Sequence, residues 1–189
     1  MNKPSEKEYF SCSEQVKSCT HRLIRLADLI DYMRDTEKIS AEDNAALYAD
    51  GGSYVESITM RLGKLLESNK DKHESKRVHT LLSFKGINLG KEIDLLIEKA
   101  KSRQSNGLRL LRHGVVAHSS AAINQDQDAW LEGLGGNLME ESIRVLVDAS
   151  QALLLIDERL YYGGTWPEQL RQNRKNLIAL RKRITSGKL

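Results

Sequence analysis

Apolar residues recur along much of this chain at helical spacing. Val16, Cys19, Leu23, Leu26, Ile30 and Met33 alternate steps of three and four, which draws one stripe down a helix over roughly 6–35. Ser40-Ala-Glu-Asp43 resembles a capping box that opens a second helix. Gly51-Gly52 weakens its early part. Val55, Ile58, Leu62, Leu65 and Leu66 then restore the stripe. A polar, charged connector follows over 68–75, then a short helix over 76–84 and a turn over 86–90. Ile93, Leu96 and Ile97 mark another amphipathic helix over 91–102.

The stretch 121–136 is rich in Asn, Gln, Asp and Gly and reads as a loop, with a turn around Trp130 and Leu134. A long helix over about 137–162 turns Ile143, Leu146, Val147, Leu153, Leu154 and Leu160 inward, and Gly163-Gly164 ends it. Thr165-Trp-Pro167-Glu168 restarts a helix, with threonine as cap, proline in the first turn and glutamate closing a box. No segment alternates like a strand, and no repeat is visible. The pattern predicts an all-α helical bundle of long antiparallel helices, built on two hairpins within one domain over 1–189.

Composition changes this picture little. The chain has 189 residues, 40% hydrophobic and 29% charged, with 2 prolines, as expected of a helical globular protein. Met1-Asn-Lys-Pro-Ser-Glu-Lys-Glu8 has no apolar run, so no secretory leader is expected. Ala152-Leu-Leu-Leu-Ile156 is too short to cross a bilayer, so no membrane role and a cytoplasmic location are expected. Cys12 and Cys19 would stand about 10 Å apart along an intact helix. A disulfide needs Cα atoms within roughly 7 Å, so they should stay unpaired. Clustered Cys/His spacing, a Gly-rich phosphate loop and paired-carboxylate motifs are all missing, so no metal or cofactor is expected.

The net charge is +3, but its distribution is uneven. Between 171 and 188 stand Arg171, Arg174, Lys175, Arg181, Lys182, Arg183 and Lys188, with no acid. Such a stripe can meet RNA phosphates, and a solvated helix face is the bland alternative.

One segment concentrates reactive chemistry: Leu108-Arg-Leu-Leu-Arg112-His113-Gly114-Val-Val-Ala-His118-Ser119-Ser120. Arginine holds phosphate, and histidine moves protons near neutral pH. The bare arginine-to-histidine spacing arises about once by chance in such a composition. Its context is more specific, because His113 adjoins Arg112, Gly114 interrupts the helix and Ala117-His118-Ser119 opens onto a polar loop. On a regular helix Arg112 and His118 would differ by about 120° in azimuth. They converge only if the backbone breaks near Gly114 or if two copies cooperate across a two-fold axis. An ion pair of Arg112 with Glu140 or Glu141 is the structural alternative, as is a helix-end position for His118.

This segment resembles the signature of the HEPN superfamily (higher eukaryotes and prokaryotes nucleotide-binding domains): arginine, a polar residue, then a histidine four to six positions after the arginine. Arg112, His113 and His118 match it. The resemblance spans about 10–162, leaving 163–189 as an added basic helix. Leu62-Gly-Lys-Leu-Leu66 and the Ala117-His118-Ser119 exit are most similar to abortive-infection, anti-phage members. The resemblance implies a homodimeric, metal-independent endoribonuclease, a toxin or antiviral effector with a possible antitoxin partner. It implies His118 as proton carrier, Arg112 as phosphoryl clamp and His113 as orienting group or second proton carrier. RNA contacts are expected from Arg109, Arg181, Lys182 and Arg183. Many superfamily members are non-catalytic, so a helical module that binds nucleic acid or a partner protein is the alternative.

Overall fold

The structure, a computed structural model, describes residues 5–35, 40–67, 79–103 and 138–186. Among them are five α-helices and a 3₁₀ turn, and no strand. The helices are α1 (Glu6–Asp35), α2 (Ala41–Leu66), α3 (Lys91–Ser102), α4 (Met139–Leu160) and α5 (Trp166–Thr185), with the 3₁₀ turn at Leu81–Phe84. The chain is therefore an all-α bundle.

α1 lies at its centre, packed against α2, α4 and α5, while α3 packs on α4 and α4 on α5. The α1–α2 pair is antiparallel: the Leu26 and Leu29 side chains face Gly51, and the Cys19 thiol faces the Ile58 carbonyl a few turns away. α4 and α5 also pair antiparallel, since Arg181 near the end of α5 reaches Glu140 at the start of α4. Between the pairs, Tyr9 stacks on Tyr162 at 4.9 Å and Phe10 lies 5.7 Å from Trp166.

The apolar stripes read from the sequence form one core. Tyr9, Cys12, Val16, Cys19, Leu23 and Leu26 of α1 are buried with Val55, Ile58, Leu62 and Leu65 of α2. Ile93 and Ile97 of α3, Ile143, Leu146 and Leu153 of α4, and Leu170, Leu177 and Leu180 of α5 complete it. The last helix therefore contributes to the same hydrophobic core as the other four. Two buried hydroxyls in this core bond within their own helix: Thr20 donates to the Val16 carbonyl at 2.8 Å and Ser150 to that of Leu146 at 2.6 Å, which keeps these two compatible with an apolar interior.

Several boundaries differ from the sequence reading, each for a local reason. α2 runs unbroken through Gly51-Gly52, because buried Gly51 sits against Leu29 and Leu26 of α1 and tertiary packing outweighs its weak propensity. The short helix expected over 76–84 is, within the described residues, only the 3₁₀ turn. Thr80 is extended, accepts from the Leu82 amide and donates to the Leu65 carbonyl at 2.8 Å, pinning the turn to the end of α2. α4 stops before Gly163: Tyr161 takes a left-handed conformation (φ 54°, ψ 53°) and its amide returns to the Asp157 carbonyl. At α5 the expected capping box does not form. Thr165 has helical backbone angles, and its hydroxyl accepts from the Gln169 side chain instead of a backbone amide. Ser40 does cap α2, accepting from the Asp43 amide at 3.0 Å.

Candidate nucleic-acid interface

Arg109, Arg112, His113 and His118 lie outside the described residues, as does the loop expected around Trp130. The candidate site within the described residues is a cationic pocket of about 300 Å³ where α3 ends against α4 and α5. Arg103, Arg144, Arg181 and Lys182 line it, with Val147, Ile178 and Thr185. Arg103 is the last described residue before the 104–137 stretch that carries Arg112 and His118.

Each cation is placed by the helix that carries it. Arg103 follows the last turn of α3, where basic Lys99 and Lys101 also suit the negative end of the helix dipole. Arg144 stands one turn beyond Glu140 on α4, and Arg181 and Lys182 occupy the last turns of α5. Two acids hold the pocket together. Glu140 accepts from Arg144 and, at 3.5 Å, from Arg181, both through the same Oε1. These contacts, the Arg144 hydrogen bond first, draw the Glu140 carboxyl below its usual range. Asp148 lies 3.1 Å from Arg103. Burial pushes its carboxyl upward, against the opposing pull of Arg103, Lys99 and Arg174. Four cations against two acids leave the pocket net positive. Arg103, Arg144 and Arg181 have side chains 40–45% exposed, so they can meet a ligand.

The basic stripe of α5 is thus divided. Arg181 and Lys182 face the pocket, whereas Arg183 turns to α1 and contacts Asp28 at 3.2 Å and Asp31 at 2.6 Å. Consecutive helix positions differ by about 100°, which is why neighbours in sequence serve different faces. Arg103 and Arg144 did not stand out in the sequence. The basic last turn of α3 was a legible hint, but only tertiary packing brings it to α5.

A larger groove of about 720 Å³ lies between α1 and α2, lined by Ser11, Glu14, Gln15, Glu56, Ser57, Arg61, Lys64 and His79 among others. Its charges balance, Glu14 and Glu56 against Arg61 and Lys64. The smaller pocket is therefore the better match to a polyanion, despite its size. Among the described residues no group of three or more His, Cys, Asp or Glu could hold a metal ion, and no helix is long and apolar enough to cross a membrane. No family model, curated protein or solved structure matches the chain.

Proposed function

We propose that this protein binds RNA through the cationic pocket and cleaves it, without a metal, with Arg112 and His118. One observation carries the reading: the pocket has a net positive charge, and Arg103 on its edge is joined directly to the segment that holds the Arg–His motif. Phosphate contacts position a strand, and the motif acts on it. His118 takes the proton of a ribose 2′-hydroxyl, and the resulting oxygen attacks the adjacent phosphorus. The bond to the 5′-oxygen breaks, and that oxygen takes a proton from a second carrier, the role assigned to His113. The products are a 2′,3′-cyclic phosphate and a 5′-hydroxyl. Arg112 balances the charge that grows on the phosphoryl oxygens.

Two copies acting across a two-fold axis would bring together more arginines and histidines than one chain offers. HEPN membership, homodimerisation and a toxin or anti-phage role all belong to this proposal. The test is RNA cleavage by the purified protein in EDTA, with end-group analysis. Cyclic phosphate ends are expected, and Arg112→Ala and His118→Ala should each abolish cleavage while circular dichroism stays unchanged. Equal inertness of wild type and both variants would overturn the cleavage reading.

A second reading is a binding module without catalysis. It is favoured by the fact that four cations converge from three helices independently of the motif. It expects salt-sensitive RNA binding that survives Arg112→Ala and weakens when Arg144, Arg181 and Lys182 are neutralised.

A further inference from the structure

Asp148 stands on α4 between the buried residues Leu146 and Ala149, and its side chain is only 14% exposed. Taking a carboxylate out of water is costly unless cations offset it. Three are near enough to act on it: Lys99 and Arg103 from the end of α3, and Arg174 from α5. Arg103 comes into contact, with Nη1 3.1 Å from Oδ2. The contact falls short of hydrogen-bond geometry, since Asp148 Oδ2 is buried and has no hydrogen-bond partner among the described residues. A buried ion pair of this kind adds little to stability, because apolar residues of similar volume often do as well or better. Its best-attested use is to fix the register of the parts it joins.

What it registers here is the end of α3. Ile93, Ile97 and Ala100 carry the burial of α3, which packs on α4. Past Ala100, Lys101, Ser102 and Arg103 are exposed, and the Asp148 contact ties Arg103 back to α4. Asp148 lies about 13 Å along the helix axis from Met139, where α4 begins. The 104–137 stretch is thus held beside one helix at both ends, by the chain itself at Met139 and by this ion pair at Arg103. No more than about 30 Å of chain joins Arg103 to Arg112, so a shift of the first is passed towards the second. Chemistry by positioned groups is sensitive to misplacement of about 1 Å. We infer that Asp148 is a positioning residue for the cleavage proposed above: through Arg103 it fixes the point from which the Arg112–His118 segment departs. The inference rests on that reading and deepens it by naming a residue that sets the placement of the motif. Asp148 does not line the cationic pocket, so it acts on placement and not on RNA binding.

The experiment is single-turnover cleavage of a short RNA by the full chain, at saturating protein and in EDTA. It is paired with fluorescence anisotropy on the 2′-O-methyl form of the same RNA, which cannot supply the attacking hydroxyl. Asp148→Asn removes the charge and keeps the shape. Its cleavage rate should fall about tenfold, while its affinity stays within about threefold of wild type. Arg103→Ala should also slow cleavage, and the double variant should be no slower than the slower single one. Asp148→Leu separates placement from stability: it should melt at least as high as wild type and still cleave about tenfold more slowly. A merely structural ion pair would not lower the rate while the melting temperature holds. Normal cleavage rates in both Asp148 variants would overturn the inference. So would rate losses that multiply in the double variant, a loss confined to affinity, or a slowing matched in both Asp148 variants by loss of folded signal. In each of those cases wild type still cleaves, and the cleavage reading stands. A wild type that cuts no RNA would remove that reading and this inference with it.

Discussion

Arg183 Nη2 stands 2.6 Å from Asp31 Oδ2, and the same guanidinium meets Asp28 at 3.2 Å. One side chain near the end of α5 thereby ties that helix to α1. All three side chains are about a third to a half exposed, so solvent screens the contact and the two pairs are worth about 1 kcal/mol together. Arg183→Ala should lower unfolding free energy by about that amount in urea titration. RNA affinity should fall less than in Arg181→Ala, because Arg181 lines the pocket and Arg183 is committed elsewhere. Equal loss of affinity in the two variants would show that Arg183 leaves its carboxylates to bind RNA.

Glu140 shares one oxygen between Arg144 and Arg181. Glu140→Gln removes the negative charge but keeps the shape. Its part-exposed carboxylate is screened by solvent, so the competition is modest and RNA should bind roughly threefold tighter. Isothermal titration of the variant against wild type checks this. Weaker binding would mean that Glu140 orients the arginines and does not compete with the ligand.

Cys12 and Cys19 are both free and buried in the core. Burial, with the Glu8 charge in second place, pushes the Cys12 thiol up. Burial also raises Cys19 from 9.0 to about 12, only partly offset by Arg61 and Arg22. The folded protein should resist an aromatic disulfide reagent at pH 8, and both thiols should react once denaturant is added. The sign of the linkage follows. These thiols stay neutral when folded but ionise when unfolded, so their contribution is complete below about pH 9 and is lost as pH rises towards 12. Denaturation curves taken at rising alkaline pH should show that loss, and Cys19→Ser should lessen it.

Helices with complete apolar stripes were legible in the sequence. The stripe from Val16 to Leu26 lies within α1 and that from Ile93 to Ile97 within α3, and these apolar positions are buried in the core. Termini were less legible where tertiary contacts overrule local signals. Thr165 has the right identity for a cap but the wrong backbone angles, and Tyr161 ends α4 two residues before the glycines that advertise a stop. Gly51 looked like a helix weakness, and its neighbours Leu26 and Leu29 come from another element. The candidate pocket was half legible. Arg181 and Lys182 belong to an obvious basic stripe, while Arg103 and Arg144 join them only through the packing of α3, α4 and α5. The division between Lys182 and Arg183 follows from helical rotation, but which face meets α1 cannot be read from charge alone.

The clasp between Asp28 and Arg183 joins positions 155 residues apart, and the aromatic contacts of Tyr9 and Phe10 with Tyr162 and Trp166 span a similar separation. During synthesis on the ribosome, α1 can pair with α2 at once, but its remaining face must wait until nearly the whole described chain has emerged. The bundle therefore closes late. Until then, the Tyr9 side of α1 lacks the cover that α4 and α5 give it and is open to whatever holds nascent chains in solution.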